Sequence, residues 1–322
     1  MRSAFPRHPQ TVGQGRRSGR KQTKHTIDMI DISNVTFGYK GAVPLYSEFS
    51  MQFGEGRIYG LLGKNGSGKS TLLYLISGLL RPKAGRVTVN GQDSSRRSAA
   101  MLREVYVVPE EFDLPDITLA QYVSINRPFY PRFSQEVLEK CLAEFELSAD
   151  LHLRTLSMGQ KKKVYMSFAL AANTSVLIMD EPTNGLDIPS KSQFRRVVAQ
   201  NMTDDRTVII STHQVHDVEA LLDHIVVVDH GRKLFDQSAS DVCRRYCFAL
   251  RRQGESTGDA VYCEPSLQGT AVVTPRREGG EETALNLELL FDAIAAGRVS
   301  DTTMAAMAAA APAGNANKNQ QQ

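Results

Sequence analysis

The sequence predicts an α/β fold with a mostly parallel sheet, and three observations point to it. Short apolar runs such as Val176-Leu177-Ile178-Met179 have the continuous hydrophobicity of strands buried on both faces. Segments of helical spacing separate such runs, as at 190–200 between the strands 175–180 and 207–211. A strand at 57–62 ends in a glycine-rich turn that opens into an apolar helix, 69–80.

The remaining elements follow in order. Ahead of the glycine-rich turn the pattern is β-rich, at 29–32, 35–37 and 49–53. Behind the first helix come a strand and turn at 86–91 and a strand at 104–108. Residues 117–172 are mostly helical in pattern, and 215–222 reads as a further helix. Residues 225–235 read as a hairpin turning at Asp229-His230-Gly231. The main unit therefore covers 27–245, and no internal repeat divides it. Residues 246–297 read as a small α+β appendage. It holds the alternating stretch Thr270-Ala271-Val272-Val273 and a segment, 285–295, of either helical or strand character. The basic arm 1–26 and the Ala-, Asn- and Gln-rich tail 298–322 read as disordered. Met29 is a candidate natural start.

Composition narrows the function classes. The formal charge of +3 is concentrated in the arm, where Arg2, Arg7, Arg16, Arg17, Arg20, Lys21 and Lys24 stand without an acid. The rest of the chain is slightly acidic, so direct nucleic-acid binding is not expected. Cys141, Cys243, Cys247 and Cys263 form no metal-ligand framework and read as reduced, packed thiols. No stretch approaches the ~18 apolar residues that span a bilayer, and no secretion signal is present. A membrane role would run through a partner chain.

Two motifs carry the chemistry. Gly63-Lys64-Asn65-Gly66-Ser67-Gly68-Lys69-Ser70 matches G-x-x-x-x-G-K-[ST], followed by Thr71. Its glycines let successive backbone N–H groups curl around a phosphate chain and deliver that anion to a helix N-terminus. Lys69 places a cation on the outer phosphates, and the Ser70 hydroxyl suits Mg²⁺. The second motif is the strand 175–180 running into Asp180-Glu181-Pro182, which puts two acids at the carboxyl edge of the sheet. Asp180 can hold Mg²⁺, and Glu181 can polarise the attacking water or take its proton. Two solvated acids at a strand end would be the ordinary reading without the phosphate loop.

Further motifs carry a family resemblance. Leu156-Ser157-Met158-Gly159-Gln160 closely resembles the L-S-G-G-Q signature of ATP-binding cassette proteins. Asn184-Gly185-Leu186-Asp187 resembles the cassette D-loop, and Ser211-Thr212-His213 ends a strand as the family's switch histidine does. Phe37-Gly38-Tyr39 is similar to the region whose aromatic, here Tyr39, stacks on adenine. The resemblance covers about 28–245 with every major motif in order. It implies a RecA-like P-loop NTPase core, an antiparallel β subdomain and a helical subdomain near 112–172. It also implies an ATPase using ATP and Mg²⁺, in which two cassettes, identical or different, sandwich nucleotide. The γ-phosphate held by one chain then meets Ser157, Gly159, Gln160 and Asp187 of the other. Ser157 is a favoured N-cap, and exposed N–H groups at Ser157 and Gly159 would form that second anion site.

Two positions depart from the family pattern. Met158 replaces the first signature glycine. Glu110, after Val105-Tyr106-Val107-Val108-Pro109, takes the place of a glutamine and would add a carboxylate beside Asp180 and Glu181 as a metal ligand. The resemblance and the single cassette suggest a transporter subunit at the cytoplasmic face of the inner membrane, bound to an integral membrane permease and serving export. A soluble ATPase acting on ribosomes is the alternative. Chromosome ATPases carry long coiled coils between phosphate loop and signature, and no heptad array fits here.

Overall fold

The computed structural model describes residues 28–310 apart from 278 and 281. The expectations for 1–26 and for 311–322 lie outside the described residues. In chain order the elements begin with strands β1 (Asp28–Phe37), β2 (Tyr46–Gly54) and β3 (Ile58–Leu62), then helix α1 (Lys69–Ile76). There follow β4 (Ala84–Val89), β5 (Gln92–Asp93), α2 (Ala99–Glu104), β6 (Val105–Val108), α3 (Leu119–Asn126) and α4 (Gln135–Glu144). Next come α5 (Met158–Ala171), β7 (Val176–Asp180), α6 (Ile188–Gln200), β8 (Thr207–Thr212), β9 (His224–Asp229) and β10 (Arg232–Ser238). The C-terminal part holds α7 (Ala239–Arg245), β11 (Tyr246–Arg251), β12 (Tyr262–Ser266), β13 (Gly269–Pro275), α8 (Leu287–Ala295) and α9 (Asp301–Ala310).

A six-stranded sheet in the order β10-β9-β3-β8-β7-β6 forms the centre. Its strands are parallel except for β10, which pairs antiparallel with β9. Side chains alternate between two cores, as the twofold period of a strand requires. On β7, Leu177 and Met179 join the helical side. Val176 and Ile178 join the side of α1 and the antiparallel sheet β2-β1-β4-β5. Register then decides where function can lie. Leu62 pairs with Thr212, Ser211 with Asp180, and Met179 with Val108. The strand ends that precede the phosphate loop, His213, Glu181 and Glu110 therefore share one edge.

The chain differs from its sequence reading in three places and decides an open one in a fourth. The first helix ends at Ile76, where Ser77 caps it and Gly78 turns at φ 72°. Residues 215–222 form two short 3₁₀ turns, Val215–Asp217 and Glu219–Leu221. So short a segment closes i→i+3 bonds more readily than it nucleates an α-helix. The ambiguous stretch 285–295 is a helix, α8, capped by the Asn286 side chain. The tail expected to be disordered from 298 instead forms α9. Val299 and Met304 are buried there, and Asp301 Oδ1 accepts from Asp236 N (3.0 Å) and Gln237 Nε2 (2.9 Å).

The appendage is an antiparallel sheet, β11-β13-β12, with α8 packed on β13. Helix α8 also abuts the two 3₁₀ turns after His213. Leu287 N donates to Glu219 Oε2 (2.7 Å), and His216 Nε2 lies 2.6 Å from Glu288 Oε2. Leu287, Leu290 and Ile294 belong to the same buried cluster as Val215, Val218 and Leu221.

One buried cation ties the helical side together. Arg206, 2% exposed, donates to Thr174 O (3.1 Å), Asn201 O (2.9 Å) and Leu170 O (3.0 Å). These carbonyls lie just beyond or within the last turns of α5 and α6, where backbone acceptors lack helical partners. Burial lowers the Arg206 pKa to about 10. Arg206→Leu removes the buried charge with its desolvation cost, but it strands Thr174 O and Asn201 O at ~1–3 kcal/mol each, while Leu170 O keeps a bond from Asn173 N. The expected net loss is roughly 3 kcal/mol in a denaturant unfolding curve. Arg206→Lys, which cannot reproduce the planar fork, should recover less than half of it.

Candidate active site

The loop between β3 and α1 forms a cradle that only glycine can line. Gly66 and Gly68 hold φ 80° and 109°, backbone that L side chains rarely adopt. A Cβ on Gly63 would lie 2.4 Å from Val228 O, and one on Gly68 2.7 Å from the Tyr46 hydroxyl. That hydroxyl donates to Gly68 O (3.0 Å) and braces the loop from β2. Lys69 is buried and donates to Gly63 O (2.9 Å) and Lys64 O (3.3 Å). Burial lowers its ammonium pKa, and the carboxylates of Glu181, Asp180 and Glu110 oppose the shift. Ser67 Oγ is buried without a partner among the described residues, a polar atom left over for an anionic guest.

The acids sit across the same edge. Asp180, 2% exposed, accepts a short hydrogen bond from Ser211 Oγ. Burial raises its carboxyl pKa, and hydrogen bonds from Ser211 and Ser70 counteract this. Glu181 follows at φ 44°, a left-handed backbone uncommon outside glycine. Its Oε2 accepts from Thr212 Oγ1 (3.0 Å), and its Oε1 accepts from His213 N (3.1 Å). His213 Nδ1 lies 2.7 Å from Oε1. The carboxylate is thus oriented by three groups of the neighbouring strand end.

A cleft of ≈ 1020 Å³ gathers Tyr39, Asn65, Gly66, Ser67, Gly68, Lys69, Ser70, Thr71, Glu110, Glu181 and His213. Tyr39 stands at its mouth, 50% exposed. Its hydroxyl lies 3.0 Å from Thr71 Oγ1, and its ring meets Phe37 edge-on. Glu110 Oε1 accepts from Asn184 Nδ2 (3.0 Å), so it faces this cleft. No cluster of three His, Cys, Asp or Glu side chains suited to a metal occurs among the described residues. The donor set here is Ser70 and Asp180 in hydrogen-bond contact, with Glu110 on the cleft wall. Such a set fits a divalent cation that shares oxygen ligands with a phosphate.

The signature residues are not brought to this cleft within one chain. Ser157 caps α5, its Oγ accepting from Gln160 N (3.3 Å), while Gln160 Oε1 accepts from Ser157 N (3.0 Å). This capping box corrects the expectation of an exposed N–H at Ser157. Gly159 lies against the following turn, where an added Cβ would be 3.9 Å from Gly185 O. The side chain of Asp187 is spent as the cap of α6, its Oδ1 accepting from Ser190 N (2.8 Å). Hydrogen bonds from Ser190 lower its pKa.

Sequence reasoning missed several site residues. Tyr46 and the wall residues Ala42–Leu45 and His230 follow no motif. Lys162, 6% exposed, donates to Asn184 O (2.7 Å) and Glu181 O (3.3 Å). Its signal was the run Lys161-Lys162-Lys163. Successive helical residues are ~100° apart, so three in a row cannot all point the same way.

A glycine cradle, a buried lysine, paired acids and an oriented histidine at one sheet edge define a phosphate-loop nucleoside triphosphatase. The ABC transporter family matches residues 46–184. The Nod factor export ATP-binding protein I of Burkholderia lata is 35% identical over 213 residues, 64% of this chain and 69% of that protein. The methionine import ATP-binding protein MetN of Carboxydothermus hydrogenoformans is 31% identical over 230 residues, 66% of this chain and 67% of that protein. A solved ATP-binding subunit of an ABC transporter superposes with a TM-score of 0.60 at 25% identity, covering 67% of this chain and 92% of the other. The chain belongs to the ABC transporter family and is an ATP-binding, ATP-hydrolysing subunit of that family's type.

Two substitutions check the cleft. Gly68→Ala sets a Cβ against Tyr46 and strains a φ of 109°, costs of order 1–3 kcal/mol. ATP affinity should fall about tenfold or more in a fluorescent-nucleotide titration. Tyr39→Ala should weaken ATP about tenfold in the same titration, whereas Tyr39→Phe, which keeps the ring, should lose little.

Proposed function

We propose that this chain is the motor of a membrane transporter, driving an integral membrane permease through ATP-dependent pairing of two cassettes. The observation that carries the reading is the Glu181 carboxylate, oriented by Thr212 and His213 in the cleft that also holds Lys69. ATP lies with its phosphates in the cradle 63–70 and its adenine against Tyr39. Lys69 meets the outer phosphates. Ser70 and Asp180 would hold Mg²⁺, with Glu110 as a further candidate oxygen ligand on the cleft wall. When bound, this ion neutralises charge on the β- and γ-phosphate oxygens. Glu181 takes the proton of the attacking water. His213 hydrogen-bonds the γ-phosphate and keeps the water in line.

The second chain completes the site. With its own N–H engaged by Gln160, Ser157 keeps its hydroxyl hydrogen to donate, beside the N–H of Gly159 at the positive end of α5. Contacts to the γ-phosphate exist only before hydrolysis, so the closed pair is favoured by ATP and released with phosphate. No helix among the described residues is long and apolar enough to cross a membrane, which supports a separate permease. An apolar groove of ≈ 600 Å³ lined by Leu79, Leu102, Val107, Phe129 and Tyr130 supports its docking there. Phe112 is engaged elsewhere, stacked on Tyr165 at 4.5 Å. Leu114 and Phe133 pack on the core. Relatives named for import and for export match at similar identity, so the shared cassette residues carry no signal of direction.

Glu181→Gln should bind ATP normally and lose steady-state hydrolysis by ~10²-fold or more. It should also run as a dimer in ATP-containing size-exclusion chromatography with light scattering. A Glu181→Gln variant that turns over at the native rate removes Glu181 from the catalytic role.

A further inference from the structure

The catalytic carboxylate sits on unusual main chain, and a side chain from a different element holds that main chain. Glu181 adopts φ 44° with its carbonyl directed at Lys162 Nζ (3.3 Å), which also donates to Asn184 O (2.7 Å). Lys162 lies in the first turns of α5, so its ammonium reaches from the signature helix to the strand end that carries the base. Asn184 extends the connection, because its side chain donates to Glu110 Oε1 (3.0 Å). Glu110 follows β6, and Glu110, Lys162 and Asn184 line one cleft of ≈ 570 Å³ with Met158 and Phe112. Three segments thus meet through the side chains of Lys162 and Asn184.

The charges around Lys162 have the same design. Burial lowers its pKa, and the carboxylates of Glu110, Glu181 and Asp180, in that order, support the ammonium. A neutral residue at 162 would leave Glu110 as a third carboxylate beside Asp180 and Glu181 with Lys69 as the remaining buried cation among these groups. A buried ammonium whose acceptors are two main-chain carbonyls is costly and has a position to hold rather than an ion pair to satisfy.

Resting on the assignment of Glu181 as the base, we propose that Lys162 is a positioning residue for hydrolysis. It fixes the left-handed main chain of Glu181 and, through Asn184, balances and anchors the carboxylate of Glu110, so that the signature helix and the loop after β6 act on the base as one unit. Lys162 does not touch nucleotide in this arrangement. Its removal affects turnover, not ATP affinity, and its effect depends on the residue at 110.

The test is a double-mutant cycle of Lys162→Gln and Glu110→Gln in the full chain. ATPase kinetics are read with nucleotide titrations, and Glu181→Gln is run in parallel. Lys162→Gln should lower kcat about tenfold or more, with KM for ATP within threefold of native. Adding Glu110→Gln to it should recover at least threefold of that loss. Asn184→Ala, which keeps the carbonyl that Lys162 uses but severs the bond to Glu110, should abolish this recovery. It also serves as the decisive variant if Lys162→Gln fails to fold, in which case Glu110→Gln should then change kcat less in the Asn184→Ala background than in the native one. A native kcat in Lys162→Gln, an effect on KM alone, or additive changes in the cycle overturns the proposal. If Glu181→Gln remains active, the base assignment fails instead. If it is inactive while Lys162→Gln is native, only the positioning role fails.

Discussion

The molecule depends on holding several buried charges at one edge of a parallel sheet. Lys69, Lys162, Asp180 and Glu181 are each 6% exposed or less, and isolated ions at such depth would be prohibitively costly. The register of β7 on β8 makes the arrangement tenable. Asp180 lies opposite Ser211, and the next residue, Glu181, meets Thr212 and the main chain of His213. A slip of one residue would turn each of these side chains to the wrong face. The strand Val176–Asp180 is buried along its whole length, and the pairing of its polar end with Ser211 and Thr212 is what marks this register.

Much of this was legible in the sequence because the physics is local. A glycine-rich turn between a strand and an apolar helix can be recognised from Gly63 to Ser70, and the cradle has the conformations those glycines imply. The acids after Met179 lie at the carboxyl edge, as a strand reading requires. What escaped was set by contacts between distant segments. Tyr46 braces Gly68 from β2, and Lys162 reaches Asn184 from α5. Tyr46 has no local signature, and the lysine run 161–163 does not say which of its members turns inward. Helix α9 escaped for the opposite reason. Its alanine-rich stretch has strong helix propensity, but only the burial of Met304 and the cap of Asp301 on β10 decide that it is ordered.

The capping box at the start of α5 limits what that helix tip can offer in the proposed two-chain site. Gln160 engages the main-chain N–H of Ser157, and Ser157 engages that of Gln160. Two donors that could serve an anion are already spent within the helix. The anion-binding capacity at this tip therefore rests on a hydroxyl, the Gly159 N–H and the helix dipole. Met158, exposed at the same tip, presents an apolar side chain where the family has hydrogen.

The C-terminal appendage shares one continuous interior with the cassette. Val273, Leu287 and Leu290 belong to the same cluster as Val215 and Phe168, and Glu219 accepts from the first residue of α8. A region built in this way cannot be exchanged as a module. The segment that follows His213 rests partly on residues some seventy positions downstream, so disturbing α8 would loosen the support behind that strand end.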